Sequence, residues 1–251
     1  MRVLVVIPAY NEAESIAAVI DEVRACQPEL EILVIDDGSS DPTTAVASSC
    51  GVRVLRLPFN LGYGAAVQTG LIYALENSYE AAILLDGDGQ HNPKFMMPLI
   101  ELVRSGEADL ALGSRFLRPH SHDTPMARRL GITFFGALAS RLTRQRITDP
   151  TSGFQVIGKR LLEFFVDGNY PYDFPDADTL IMLHYAGFRI REAPVKIRPR
   201  LQGESMHGSA TKILYYIYKM FFSIFIVMLQ KKAIAQGGHD AVKHQNPDLT
   251  Y

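Results

Sequence analysis

The chain opens on an apolar run, Val3 to Ile7, that gives way at once to the polar stretch Pro8-Ala9-Tyr10-Asn11-Glu12. A short run of β-branched and aliphatic residues bounded by turn formers reads as a strand. Beyond it, Ile16, Val19, Ile20 and Val23 recur on one helical face, with Asn11 as the expected cap and Glu14 at capping-box spacing. Ile32 to Ile35 is a second expected strand, ending in Asp36-Asp37-Gly38-Ser39-Ser40-Asp41, after which Pro42 can start another helix. Val52 to Leu57 is the third, followed by a glycine-rich stretch from Phe59 to Gly70. Ala82 to Leu85 and Asp109 to Leu112 are the fourth and fifth, the last leading to Gly113-Ser114-Arg115. Strands separated by helical patterns specify an α/β fold, with a mainly parallel central sheet flanked by helices.

In an open parallel sheet, ligands bind outside the carboxyl ends of the strands. The segments PAYNE, DDGSSD, NLGYG and DGDGQ each follow a strand and are expected to converge on one crevice. Within DGDGQ, Asp86 and Asp88 flank a single glycine, so both carboxylates can reach a hard cation such as Mg2+ or Mn2+. Gln90 and His91 are near enough to assist. The competing reading is a solvated Asp-Gly turn. Asp36 and Asp37 suit hydrogen bonds from a ribose or base edge, or helix capping; Asp41 can cap alone, which leaves the other two without a structural role. Neither GxGxxG after the first strand nor GxxxxGK[ST] occurs, so a metal-held diphosphate replaces the usual phosphate cradle.

Arg115, after a strand, fits a bidentate clamp on phosphate. Arg118, Arg128, Arg129, Arg141, Arg144 and Arg146 make the middle of the chain locally basic, which favours a phosphorylated acceptor, although adjacent arginines are also the usual mark of a solvated helix face. Over the whole chain of 251 residues the net charge is only -2, so no global field recruits nucleic acid. A hydrophobic content of 47% supports one sizeable core, hence one catalytic domain over residues 1–210 with a C-terminal appendage. Cys26 and Cys50 share no close spacing, which speaks against a zinc cluster or disulfide framework and for a reducing, cytosolic compartment. The first apolar run is too short for the core of a signal peptide.

Residues 211–235 read as an amphipathic helix. Lys212, Lys219, Ser223 and Gln230 fall on one stripe, and nearly everything else from Ile213 to Leu229 is apolar or aromatic. Such a helix can lie in a membrane interface with its lysines toward headgroups, flanked by Lys231 and Lys232, span within an oligomer, or dock as a core or dimerisation helix. From Gln236 to the end, the polar, glycine-containing sequence is expected to be disordered.

In this order, PAYNE, DDGSSD, NLGYGAA, DGDGQ, GSR and DPTSGF resemble the family-two glycosyltransferases of the GT-A nucleotide-diphospho-sugar transferase fold, over roughly Arg2 to Arg200. Among them the chain is most similar to the dolichyl-phosphate mannose synthases and bacterial polyprenyl-phosphate glycosyltransferases. The resemblance implies an inverting enzyme with a GDP- or UDP-sugar donor. By the same resemblance Pro8, Tyr10, Glu12 and Asp37 bind the nucleoside. Asp86, Asp88 and Gln90 serve the metal and the donor phosphates, Asp88 and Arg115 as catalytic groups; Arg128 contacts an acceptor phosphate; and Asp149, Ser152 and Gly153 shape the pocket. A polyprenyl phosphate acceptor implies an enzyme peripheral on, or anchored to, the inner face of the cell membrane, acting alone, as a homo-oligomer or beside an integral membrane partner. If the acceptor is instead a saccharide hydroxyl, Asp176 or Asp178 in PDAD is the expected general base. A third reading is a non-catalytic nucleotide-sugar-binding subunit. The stretch 200–209, RLQGESMHGS, with Lys212 beyond it, resembles the segment that closes over the donor, but it places Met206 and His207 after Ser205, where the synthases have glycine-serine-lysine.

Overall fold

A computed structural model describes residues 1–117, 126–171, 176–198 and 210–234, with backbone only at 126–128 and 210–217. The expected donor-closing segment at 200–209, Arg118, Pro175 and the tail from 236 lie outside the described residues, as do the side chains of Arg128 and Lys212.

In chain order the elements are β1 (Val3–Ala9), α1 (Ile16–Cys26), β2 (Glu31–Asp36), α2 (Thr43–Ser49), β3 (Arg53–Arg56), α3 (Tyr63–Glu76) and β4 (Ala81–Leu84). They continue with α4 (Met96–Arg104), β5 (Leu110–Ser114), α5 (Met126–Thr143), β6 (Gln155–Gly158), α6 (Lys159–Phe164), α7 (Ala177–Tyr185), β7 (Ile190–Pro194) and α8 (Ala210–Leu229). The seven strands form one sheet in the order β3-β2-β1-β4-β6-β5-β7. All neighbours are parallel except β6, which runs antiparallel to both β4 and β5. The expectation of a mainly parallel sheet flanked by helices is met.

Why the central strands read as unbroken apolar runs is clear from their two faces. Side chains alternate across a strand, and a sheet covered by helices on both sides must be apolar on both. Leu4, Val6, Leu33, Ile35 and Leu84 enter one core with residues of α3, α5, α6, α7 and α8. Val3, Val5, Ile7, Val34 and Ile83 enter the other with residues of α1 and α4. Each fully buried aliphatic side chain is worth roughly 1.5–3 kcal/mol. The chain leaves β1 toward β2 and β3 on one side and returns to β4 on the other, so the topological switch point lies between β1 and β4. The first and fourth loops flank it.

Three local expectations are corrected. Asn11 does not cap α1: the helix starts at Ile16 after Ser15, and Asn11 sits at φ 55° with its side-chain oxygen accepting from Ser40 N–H at 2.8 Å. Asparagine tolerates that left-handed backbone, and the second loop draws its carboxamide away. Asp36 and Asp37 do have structural partners. Asp36 is fully buried and accepts from Ser39 N–H and the Thr44 hydroxyl, while Asp37 accepts from the amides of Leu61 and Gly62 at 2.8 and 2.9 Å.

The stripe on α8 is not uniformly outward. Ser223 turns inward and its hydroxyl donates to Asp178 on α7, alongside buried Met220 and Ile224. Across the helix, Tyr218, Phe221, Phe222, Phe225, Ile226, Met228 and Leu229 are exposed. Phe221 also meets Phe134 and Phe135 of α5, with ring centroids 5.6 Å apart in each case. No described helix is long and apolar enough to cross a membrane.

Candidate active site

The strand-end loops do converge, and hydrogen bonds lace them together. From the first loop, Asn11 N–H donates to Ser39 Oγ at 2.9 Å, Glu12 N–H to Thr43 Oγ1 at 2.9 Å and Ala13 N–H to Asp41 Oδ2 at 3.1 Å. Asp41 also accepts from Thr43 N–H at 3.0 Å, the capping expected of it. Asp37 ties the second loop to the third. Gly38, at φ +70°, lets the second loop pass so close that a Cβ there would lie 2.5 Å from the carbonyl carbon of Phe59.

The first loop also holds the fourth. Ser15 Oγ lies 2.7 Å from both the Gly87 carbonyl and Glu12 Oε2, its one proton shared between these two acceptors. A Cβ on Gly87 would meet Pro8 O at 3.4 Å and Glu12 Cγ at 3.5 Å. The residue between the two aspartates is therefore pressed against the loop expected to bind the nucleoside. Pro8 is buried at the end of β1, Tyr10 is exposed at the lip and Glu12 is half-buried.

Asp88 is 6% exposed and its Oδ1 accepts from Gln90 N–H at 3.0 Å. Asp86 is more open, its side chain 32% exposed. His91 holds it from behind. The imidazole is buried and stacked on Phe154, centroids 4.8 Å apart, and Nδ1 accepts from the Asp86 amide at 3.1 Å. That bond leaves the ring proton of a neutral imidazole on Nε2, 3.5 Å from Asp86 Oδ2. Tyr63, between the glycines of NLGYG, places its hydroxyl 3.4 Å from Asp86 Oδ1. Burial, then the charge of Asp86, holds that phenol well above its ordinary range. Both roles went unread in the sequence, though a tyrosine between two glycines ahead of a helix was a usable signal.

Among the described residues, no three acidic, histidine or cysteine side chains close into a metal cage. The donor set that is present, two carboxylates one residue apart, suits a hard cation that completes its shell with diphosphate oxygens and water, as Mg2+ commonly does.

Arg115 and the DPTSGF turn form the far wall. The guanidinium is 7% exposed and pairs with fully buried Asp149, which in turn donates its amide to Glu192 Oε1 at 2.9 Å. Burial first, then the charge of Asp149, raises Glu192 above the usual carboxylate range, against hydrogen bonds from Thr148 and Asp149 that lower it. Ser152 is buried, with its hydroxyl donating to the Gly113 carbonyl at 2.6 Å, so it fixes the turn on β5. Gly153 faces the acidic loop: a Cβ there would meet Tyr63 Oη at 3.5 Å, His91 Cε1 at 3.6 Å and Asp86 Oδ1 at 3.7 Å. Asp176 is buried ahead of α7. Asp178 accepts through one oxygen from Thr179 N–H and through the other from Ser223. Arg128 lies on α5 and Arg129 beside it is exposed.

Residues 4–167 match the family model of glycosyl transferase family 2. An undecaprenyl-phosphate mannosyltransferase of Micrococcus luteus is 33% identical over 215 residues, 82% of this chain and 87% of that protein. A polyprenol monophosphomannose synthase of Mycolicibacterium smegmatis is 34% identical over 220 residues, covering 83% and 82%. In structure, the glucosyl-3-phosphoglycerate synthase of Mycobacterium tuberculosis, solved with Mn2+, uridine diphosphate and phosphoglyceric acid, superposes with a TM-score of 0.63 at 22% identity. That match covers 92% of this chain and 78% of the synthase, and it carries the fold alone.

Proposed function

This chain belongs to glycosyl transferase family 2, with a GT-A fold, and from that premise we propose that it moves a hexosyl group from a GDP- or UDP-sugar to a polyprenyl phosphate with inversion. The observation that carries the reading is the Asp86-Gly87-Asp88 turn at the sheet's switch point, tied to the loops after β1, β2 and β3. Asp86 and Asp88, with Gln90 beside them, would hold Mg2+ or Mn2+, which when bound neutralises charge on the departing diphosphate. Pro8, Tyr10, Glu12 and Asp37 line the nucleoside side. Arg115, oriented by Asp149, and Arg128 on α5 would face the phosphates.

In the reaction an acceptor phosphate oxygen forms a bond to the anomeric carbon, and the bond from that carbon to the nucleoside diphosphate breaks, its electron pair leaving with the diphosphate. A phosphate monoester with a second pKa of about 6 is already largely dianionic at neutral pH, so no general base is required. This agrees with Asp178, whose carboxylate is spent on Thr179 and Ser223 at the α7–α8 joint. Both polyprenyl-phosphate relatives support this acceptor over a saccharide hydroxyl. Positioning and charge neutralisation supply the catalysis.

The exposed face of α8 supports action at the membrane's inner surface. Phe222 is 54% and Leu229 70% exposed, and Lys219 on the same helix with Lys231 and Lys232 just beyond it are exposed, the composition of an interfacial helix at an anionic leaflet. A homo-oligomer or an integral membrane partner covering the same face is the competing arrangement. The deciding assay supplies GDP- and UDP-sugars with Mn2+ to a polyprenyl phosphate and, separately, to soluble saccharides. Lipid-linked product that disappears on chelation is expected; transfer to the soluble sugar alone would overturn the acceptor, and undiminished turnover by Asp88→Asn would overturn the metal.

A further inference from the structure

The C-terminal ends of α5, α7 and α8 meet around an open cavity of about 740 Å3 that nothing above uses. The three helices run side by side in one direction. Upstream, Phe135 packs on Phe221 and Asp178 accepts from Ser223; downstream, the cavity collects Arg141 and Arg144, His184 and Tyr185, and Met228 and Lys231. Arg141 stands thirteen residues after Arg128, about 20 Å along α5. Past α5 the chain doubles back, Ile147 N–H donating to Ser140 Oγ at 2.9 Å, and DPTSGF returns from there to the acidic turn. The cavity is therefore separate from the candidate active site.

No acidic side chain lines this cavity, and among the described residues Arg141, Arg144 and Lys231 pair with no carboxylate. Lys231 instead lies 4.8 Å from the centre of the Tyr185 ring. Burial, then the charges of Lys231 and Arg144, holds the His184 imidazole below its ordinary range, so the ring adds no charge at neutral pH. Basic residues at helix ends also answer the helix dipole, but the magnitudes do not balance. Even three helix ends at about −0.5 each leave an excess of roughly +1.5 against three full positive charges. That excess suits one phosphate group, which arginine grips by paired hydrogen bonds and lysine by charge.

The rest of the lining says what that phosphate is attached to. Leu142 and Met228 are apolar, and Met228, 47% exposed, joins exposed Phe225 one turn earlier on α8. A free phosphate ion leaves that apolar wall unused; a phospholipid covers it with the start of its acyl chains. We propose that this cavity binds the phosphate headgroup of an anionic phospholipid, and so fixes how the side of the protein formed by α5 and α8 sits on the membrane. The inference rests on the membrane reading of α8 above.

The test titrates the full chain by calorimetry with dihexanoyl phosphatidylglycerol below its micellar concentration, beside dihexanoyl phosphatidylcholine and inorganic phosphate. The anionic lipid should saturate one site and bind about 10-fold more tightly than inorganic phosphate, the order expected from burying about two methylenes; the zwitterionic lipid should bind no better than phosphate. Inorganic phosphate binding as tightly would assign the cavity to a small anion and overturn the lipid. Arg141→Gln with Arg144→Gln breaks no ion pair among the described residues, so the melting temperature should hold. Diffuse attraction to vesicles of equal parts phosphatidylcholine and phosphatidylglycerol is worth about 5-fold per basic residue, whichever residue is removed. Lys219→Gln with Lys232→Gln removes the same charge from outside the cavity. The arginine pair should lose about 10-fold more vesicle affinity than this lysine pair, the order of one charged hydrogen bond. Equal losses in the two double variants would overturn the proposal, as would unchanged binding by the arginine variant. Failure of the wild type to bind these vesicles at all would instead overturn the membrane reading of α8, and this inference with it.

Discussion

Arg115 and Asp149 are locked in a buried bidentate pair, Nε to Oδ2 and Nη2 to Oδ1 both at 2.6 Å, and the Arg115 amide adds a third bond to Oδ2 at 3.0 Å. Both side chains are nearly out of solvent, so removing one strands the other as an uncompensated charge. Asp149→Ala should cost about 3–5 kcal/mol in urea denaturation. The double change Arg115→Met with Asp149→Leu should recover much of that stability while transfer stays lost. A cost below about 1 kcal/mol for the single change would mean that the pair is solvated in solution.

Behind that pair, Glu192 imposes a pH dependence. Its folded pKa lies above the 4.5 of an ordinary glutamate, mainly because it is buried. Between those two values the folded chain binds more protons than the unfolded one, so this group's contribution to stability falls as pH rises through the window and levels off above it. Glu192→Gln should remove that slope. Urea midpoints taken from pH 4 upward would check this, and parallel curves for the two proteins would refute it.

His91 acts on the acidic turn through Asp86 at both ring nitrogens. His91→Phe can keep the stack on Phe154 but leaves the Asp86 amide unpaired and frees the carboxylate to rotate. Groups that orient a metal ligand typically contribute 10–100-fold in affinity or activity. Mn2+ titration of the variant should show a loss of about that order with little change in nucleoside affinity. Equal Mn2+ binding would return His91 to a packing role.

How far the sequence carried depends on which residues one asks about. Ile32 to Ile35 lies inside β2, Glu31–Asp36, and β1 and β4 are similarly close, because a strand buried on both faces leaves an uninterrupted apolar run. β7 was missed: in Ile190–Pro194 an exposed Arg191 and the charged Glu192 interrupt the run at the sheet's edge. The convergence of the four loops was legible; what laces them was not. Asp36, Asp37 and His91 were read for ligand chemistry, yet each is held by backbone amides: Asp37 by the third loop, Asp36 and His91 by amides three and five residues away in their own loops. Arg115 and Asp149 pair across 34 residues, beyond any local pattern.

The outer face of α8 gives a separable test. Phe222→Glu with Phe225→Glu changes only exposed positions and should leave the melting temperature within a few degrees, since surface changes usually fall within about 0.5 kcal/mol. Co-sedimentation with vesicles containing anionic phospholipid should fall at least 10-fold, while donor binding in solution is retained. Unaltered sedimentation together with a loss of self-association would assign the face to a second copy of the chain.

The lacing of the loops bears on how such an enzyme can be re-engineered. Asn11, Glu12 and Ala13 are bonded into the second loop, Asp37 into the third, and Ser15 and Glu12 grip Gly87 between the two aspartates. A graft that imports one loop from a homologue of different nucleoside preference would cut hydrogen bonds on both of its flanks and shift the acidic turn with it. Donor preference and catalytic competence are therefore inherited together, and a chimera should exchange residues 8–15, 36–43, 59–63 and 86–91 as a single cassette.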